Sequence, residues 1–471
     1  MKCVCLKANK TIEAGLVKQF VRPLIACFGK RNNYQLKIIK GGMTDSKQKL
    51  RGGQFAVWLS SEYQSINFAL TARLQGAVTP EQIRVALDKV QFRYPPLSMR
   101  LAQESNRCVY LVPDARLKIP IRIVGRQHSE QWLGEVTTEL GLAFDLVNDP
   151  PLRLVWLRGQ RTSEMIFVCP HVLADGLSVV YLIRDFLKFL DDPEADVKPM
   201  PLTSPMSELL PDFPGKRMII RQSKLKAAIL RFLLILSPRQ EIKGSTKTDY
   251  HLLAWELTGK QTSALVARSR SEKTTVHAAL CTVFLRAFGE FQGDGWKRKA
   301  QSPISLRHRL TNPVGEAFGL FVNLMEFGVN CSPQRDFWEV AREVKEAITR
   351  RADDRYAFRS LTEANVMMDK LGSVVPAEFV ARSVMTVSYD LSVTNLGRLD
   401  IPTQYGKLHL DGLYGPSLGG DPDNIVLGVI TIGDRMHFTL SFTDIKLSVS
   451  EAEKIKEKAM SSLEDAVNSS Q

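Results

Sequence analysis

Several common chemical frameworks are missing from these 471 residues. The seven cysteines (Cys3, Cys5, Cys27, Cys108, Cys169, Cys281 and Cys331) are odd in number, scattered and without CxxC spacing. That usage points away from a disulfide framework or a zinc site and toward a reducing cytoplasm. No apolar run approaches the ~20 residues a transmembrane helix requires. Rossmann and P-loop glycine fingerprints are absent, so nucleotide chemistry has no support. No histidine pairs into HExxH or another ligand spacing, so no metal is expected. No internal repeat is visible. What remains is the balance of a globular chain, 44% hydrophobic and 24% charged, long enough for two domains of ordinary size.

The net charge of +13 is unevenly spread, because residues 1–52 hold twelve Lys/Arg against Glu13 and Asp45. The rest of the chain is nearly neutral. A basic arm can bind nucleic acid, but no aromatic stacking pattern accompanies this one, and no nucleic-acid partner is expected. Met43 offers an alternative start of translation, which would leave residues 1–42 out of the protein. Val17 to Gly29 is interrupted by Lys18, Arg22 and Pro23, which argues against a secretory signal.

His171-Val-Leu-Ala-Asp175-Gly176 carries the most chemical information. The apolar Ser163–Pro170 stretch before it predicts a buried strand. Behind it, Leu177, Val180, Tyr181, Ile183, Phe186, Leu187 and Leu190 follow the spacing of a helix with one buried face. Asp175 and Gly176 then fall at the helix start, where free N–H groups and the helix dipole favour negative charge. A histidine delivered there can take a proton while neighbouring N–H groups receive an oxyanion. A bare HxxxD pattern also arises by chance, and a polar histidine at a strand end has a purely structural reading.

Strand-like and helix-like stretches interleave along the chain. Residues 53–200 predict one mixed α/β unit, with helices over Thr79–Phe92 and Ser129–Leu140 and strands over Cys108–Val112, Leu152–Leu157 and Met165–Pro170. Residues 201–249 predict a linker. Within it, residues 216–239 carry seven basic residues and no acidic one. They describe either a basic amphipathic helix lying on a membrane surface or a crossover helix packed on the protein. Residues 250–471 predict a second unit. Its strands lie at Tyr250–Leu257, Pro303–Leu306, Leu320–Val329, Ser388–Val393, Gly406–Leu410, Ile425–Ile432 and Met436–Phe442. Its helices lie at Thr262–Ser269, Thr275–Phe288, Phe337–Arg350 and Ser450–Val467.

The His171–Gly176 segment resembles the HHxxxDG signature of the chloramphenicol-acetyltransferase-like acyltransferases. These include peptide-synthetase condensation domains, plant-type acyltransferases, wax-ester synthases and phthiocerol dimycocerosyl transferases. Further segments resemble that family in its own order across roughly residues 54–460. They are Ser61–Phe68 with Leu74-Gln-Gly76 and Ile83–Arg93, then Ile304-Ser-Leu-Arg307-His-Arg309 with Gly319 and Asn323, then Ser392-Val-Thr-Asn395-Leu-Gly397. Pro170 stands where most members carry the first histidine, and the DFGWG motif of the plant-type branch is absent.

The resemblance implies a mixed α/β fold of two chloramphenicol-acetyltransferase-like subdomains. They form a V-shaped pseudo-dimer with the active site at their interface. It implies a cofactor-independent acyltransferase in which His171 is the general base. Asp175 turns away to bind an arginine of the second half, Arg307 by motif with Arg309 as the alternative. The Gly176 N–H faces the thioester oxygen, and Asn395, Gly319 and Asn323 are candidate substrate contacts. The donor would be acyl-CoA or an acyl carrier protein, the acceptor an alcohol or amine, and the rival function a catalytically silent docking module. Gly415-Pro-Ser417-Leu-Gly419 also fits a G-x-S-x-G nucleophile elbow, with His437 downstream. Gly420-Asp-Pro-Asp-Asn and another alternating strand follow it where the elbow needs a helix, so a Gly/Pro turn is expected there.

Overall fold

The structure is a computed structural model that describes residues 47–104, 108–236, 249–292, 299–372, 374–376, 380, 389–420 and 422–469. Most of the basic extension, Cys3, Cys5, Cys27, Met43, Ser388 and the end of the 201–249 linker lie outside those residues. Two six-stranded sheets, each with helices packed on it, dominate the molecule. The first runs in the order 404–405, 408–418, 67–75, 162–170, 153–158 and 121–125. The second runs 322–328, 299–305, 391–398, 426–432, 435–443 and 250–257. A small three-stranded sheet of 48–49, 109–113 and 99–103 lies beside them.

Each large sheet carries its own core. Leu70, Trp156, Phe167, Val180, Ile183 and Phe186 are fully enclosed in the first. Phe284, Phe288, Leu427, Val429, Phe438 and Leu440 are enclosed in the second. At roughly 1.5–3 kcal/mol for each large apolar side chain removed from water, either set supplies the stabilisation of a separate lobe.

Where the apolar period was strong, the elements form as expected. The Thr79–Phe92 helix spans Pro80–Arg93, and Thr79 and Gln82 close a reciprocal capping box at its start. Such a box satisfies two backbone donors that a helix leaves orphaned. The Tyr250–Leu257 strand has the expected bounds, and the last helix spans Val449–Asn468, again with a capping box, Ser448 with Glu451.

Four features differ from expectation. The Ser61–Phe68 stretch, where the family resemblance implies the opening strand, is mostly not strand. A helix spans Gly52–Ser61 and the strand is Asn67–Gln75. Asp354–Leu371 forms a helix that periodicity did not announce, because its buried side chains include the polar Thr362 and Asn365. Arg307 and Arg309, which the family resemblance implies share one strand, lie beyond it, because the strand ends at Ser305.

The fourth difference matters most. The Gly406–Leu410 strand continues to Leu418 and pairs antiparallel with Asn67–Gln75, so this piece of the second half completes the first sheet. Gly415-Pro416-Ser417 is therefore strand with an irregular register between Tyr414 and Ser417, not a turn and not an elbow. Gly415 has φ +125, and a Cβ there would lie 2.7 Å from the Ala69 carbonyl oxygen. Only glycine lets the two strands approach that closely.

Candidate active site

The Thr162–Pro170 strand sits inside the first sheet, between 67–75 and 153–158, and its side chains from Ser163 onward are buried. Its hydrogen bonding runs one step past its end, where the His171 N–H donates to the Ile66 carbonyl at 2.9 Å. Asp175 then caps the Gly176–Asp191 helix, its side chain accepting the Ser178 N–H. Between strand and cap the chain makes one tight turn. The His171 ring lies against Phe68, with ring centroids 5.0 Å apart.

Nδ1 of His171 lies 2.9 Å from the Ala174 carbonyl oxygen. A carbonyl only accepts, so Nδ1 carries the proton and Nε2 is left as the lone-pair nitrogen of the neutral ring. Burial lowers the imidazole pKa below its ordinary 6.5, while the Ala174 carbonyl and the Asp175 charge pull it partly back. The neutral form is thus favoured at physiological pH.

Asp175 does not engage that ring. Its Oδ1 accepts Arg307 Nη2 at 2.7 Å and both the N–H and Oγ–H of Ser178 at 2.9 Å, and its Oδ2 accepts the Phe321 N–H at 3.1 Å. Both charged side chains are 1% exposed. Arg307 also donates to the Gly315 and Ala317 carbonyls, at 2.9 and 2.7 Å, and to Ser178 Oγ at 2.7 Å. Arg309, the alternative partner, is turned out toward the Ala352 carbonyl and Asp354. The pair joins residues 132 positions apart, one from each half of the chain.

Ser178 was not singled out in the sequence, yet its hydroxyl links Asp175, Arg307 and Gly319. The available signal was its place in the first turn of a helix capped by aspartate. Gly319 belongs to this brace, because its carbonyl accepts the Asp175 N–H at 3.0 Å. A Cβ on Gly319 would come within 2.5 Å of the Phe321 ring. Gly319→Ala is therefore expected to push that ring aside and lower the urea midpoint of unfolding. An unchanged midpoint would show that the brace tolerates the methyl group.

A cavity of about 600 Å³ opens in front of these residues. His171, Gly176, Gly319, Asn323 and Asn395 all line it. Gly176 and Leu177 begin the helix, where no preceding turn accepts their N–H groups. Gly176 is packed so closely that a Cβ would meet Pro416 at 3.1 Å and Leu396 at 3.2 Å. Asn395 uses its Oδ1 to accept the Gly397 N–H at 2.8 Å, a local turn bond. Asn323, on the Val322–Gly328 strand, is 8% exposed and its Nδ2 has no partner. It is therefore a buried donor on the cavity wall. Two parts of that wall were not foreseen. One is residues 202–207 of the linker, and the other is Leu361, Asn365, Met367 and Met368 of the Asp354–Leu371 helix.

Two sheet-and-helix lobes, a shared sheet strand, and a histidine beside a helix start at the cavity define a pseudo-dimeric mixed α/β scaffold of the chloramphenicol-acetyltransferase type. Residues 51–204 match the Condensation domain family, and residues 247–416 match the family described as Phthiocerol/phthiodiolone dimycocerosyl transferase C-terminus. The chain's two halves thus match the chloramphenicol-acetyltransferase-like condensation superfamily through two family models, one of a condensation domain and one of an acyltransferase C-terminus.

A nonribosomal peptide synthetase of Curvularia clavata is 23% identical over 363 residues, 73% of this chain and 3% of that protein. The chain spans only 1–3% of the length of the curated relatives it matches. Among solved structures, the trichothecene 15-O-acetyltransferase of Fusarium sporotrichioides aligns with a TM-score of 0.64 at 10% identity, over 89% of this chain and 95% of that one. Polyketide synthase associated protein 5 of Mycobacterium tuberculosis aligns with a TM-score of 0.60 at 15% identity, over 90% and 99%. At these identities the likeness to the solved structures is one of fold.

Proposed function

We propose that the protein transfers an acyl group from a pantetheine thioester, on CoA or on an acyl carrier protein, to an acceptor hydroxyl. One observation carries this reading: a neutral histidine with Nδ1 engaged by the Ala174 carbonyl and Nε2 left as acceptor, at the wall of a largely apolar cavity between two lobes. Nε2 takes the acceptor's proton as its oxygen attacks the thioester carbonyl carbon. The tetrahedral oxyanion is received by N–H groups at the start of the Gly176–Asp191 helix. The carbon–sulfur bond then breaks, and the proton on Nε2 passes to the departing thiolate. No covalent acyl-enzyme forms and no further cofactor enters. Asp175 and Arg307 act as positioning residues that set the turn bearing His171.

The 15-O-acetyltransferase activity of the Fusarium protein supports an alcohol acceptor, and the peptide synthetase relative keeps an amine in the assay. Pro170, in place of the family's first histidine, favours a second reading, a silent docking module. The test is thiol release from acyl-CoA with a panel of alcohols and amines. Release by wild type that His171→Ala loses supports transfer. Equal release by both proteins supports the docking module.

The pH profile gives a separate check. The base acts only when unprotonated, and burial holds its pKa below 6.5. Transfer is therefore expected to be flat around pH 7–8 and to fall as pH drops through a value below 6.5. A rate that declines between pH 8 and 7 would contradict this protonation state.

A further inference from the structure

The Lys216–Leu236 helix carries two apolar faces, and among the described residues only one of them is packed on the protein. Ile219, Ser223 and Ala227 are buried, and Leu230 and Leu234 are half-buried, a repeat of three and four residues that marks one face. Ala227, Leu230 and Leu234 pack in the cluster that holds Met367, Met368 and Leu371 of the Asp354–Leu371 helix. This is the crossover packing that the sequence allowed.

On the opposite face, Met218, Leu225, Ile229 and Phe232 are 59%, 64%, 55% and 62% exposed. At 100° per residue these four fall within about 60° of arc, so they form a stripe rather than scattered points. Arg217, Arg221, Lys224 and Arg231 follow along one flank and Lys226 along the other. Lys226 pairs with Glu363 and Arg231 donates to the Lys370 carbonyl. Among the described residues, Arg217, Arg221 and Lys224 have no carboxylate partner. Large apolar side chains at this exposure, edged by cations on a helix without an acidic residue, match the chemistry of an anionic lipid surface.

The geometry points to this face as a peripheral membrane contact that seats Met218, Leu225, Ile229 and Phe232 among the acyl chains. Arg217, Arg221 and Lys224 then lie at the phosphate level. No helix of the described residues is long and apolar enough to cross a bilayer, so the contact lies in the membrane surface. It does not depend on the acyl-transfer reading.

The test is co-sedimentation of the full chain with phosphatidylcholine vesicles, with and without about 30% phosphatidylserine, at roughly 0.1 M salt. Wild type is expected to pellet with the anionic vesicles. Combining Arg217→Gln, Arg221→Gln and Lys224→Gln is expected to weaken partitioning about 100-fold, at about fivefold per charge. Combining Leu225→Gln, Ile229→Gln and Phe232→Gln is expected to abolish binding without moving the thermal melt, since these side chains face solvent. Three results would overturn the proposal. Wild type could stay in the supernatant. Binding could survive the apolar triple variant, which would assign it to another basic region. Light scattering could show a dimer that the apolar variant dissociates, so that a second copy covers the face.

Discussion

His171→Ala is expected to lower the rate of acyl transfer about 10²–10⁴-fold, the usual worth of a positioned general base. The protein should stay folded. The ring contributes one hydrogen bond to the Ala174 carbonyl and a contact with Phe68, and a hydrogen bond is worth only ~1 kcal/mol net. Urea unfolding of the variant should therefore lie close to wild type while thiol release collapses. His171→Gln retains a polar group of similar reach but no basic nitrogen, and it should be as slow as alanine. A glutamine variant at more than a tenth of wild-type rate would place the proton acceptor elsewhere. Neither other buried histidine offers a ready substitute. Desolvation pushes His277 and His437 down to about 4, and neither lines the cavity.

Asp175→Ala is expected to cost about 3–5 kcal/mol of stability, because it leaves the fully buried Arg307 guanidinium without its counter-charge. It also removes a helix cap worth ~1 kcal/mol, and the two losses overlap at Ser178. Against a total of roughly 5–15 kcal/mol for a typical domain, such a loss should be plain in equilibrium urea unfolding. The sign of the next step separates charge from packing. Adding Arg307→Met to Asp175→Ala should restore part of the stability, since no buried charge is then unpaired. Recovery stays incomplete because the Gly315 and Ala317 carbonyls lose their donor. A urea midpoint for Asp175→Ala equal to wild type would mean the ion pair does not hold the halves together.

These two variants also separate the histidine from its support. His171→Ala should change rate and spare stability. Asp175→Ala should change both, with the rate loss following displacement of the turn. An Asp175→Asn protein that retains the cap but loses the charge should fall between wild type and alanine in unfolding. Together they test whether Asp175 orders the loop or serves the imidazole directly, and the four hydrogen bonds its carboxylate accepts all lead away from the ring.

Local pattern alone was enough for the strand before His171, the Asp175 cap and most helices, whereas the choice of Arg307 over Arg309 came from the family resemblance. Each of these rests on neighbours within a few positions, or on a motif whose spacing is written along the chain. Pairing between distant segments has no such local trace. Nothing near Leu408–Leu418 announces that it hydrogen-bonds to Asn67–Gln75, and nothing near Ser178 announces the Arg307 guanidinium. The Asp354–Leu371 helix supplies Met367 and Met368 to the cavity, yet its polar buried positions blur the apolar period. The Lys216–Leu236 helix shows the same division. Its charge and its apolar content were readable from composition, but which face is buried follows only from the helix it meets, since burial is a property of pairs of surfaces and not of one segment.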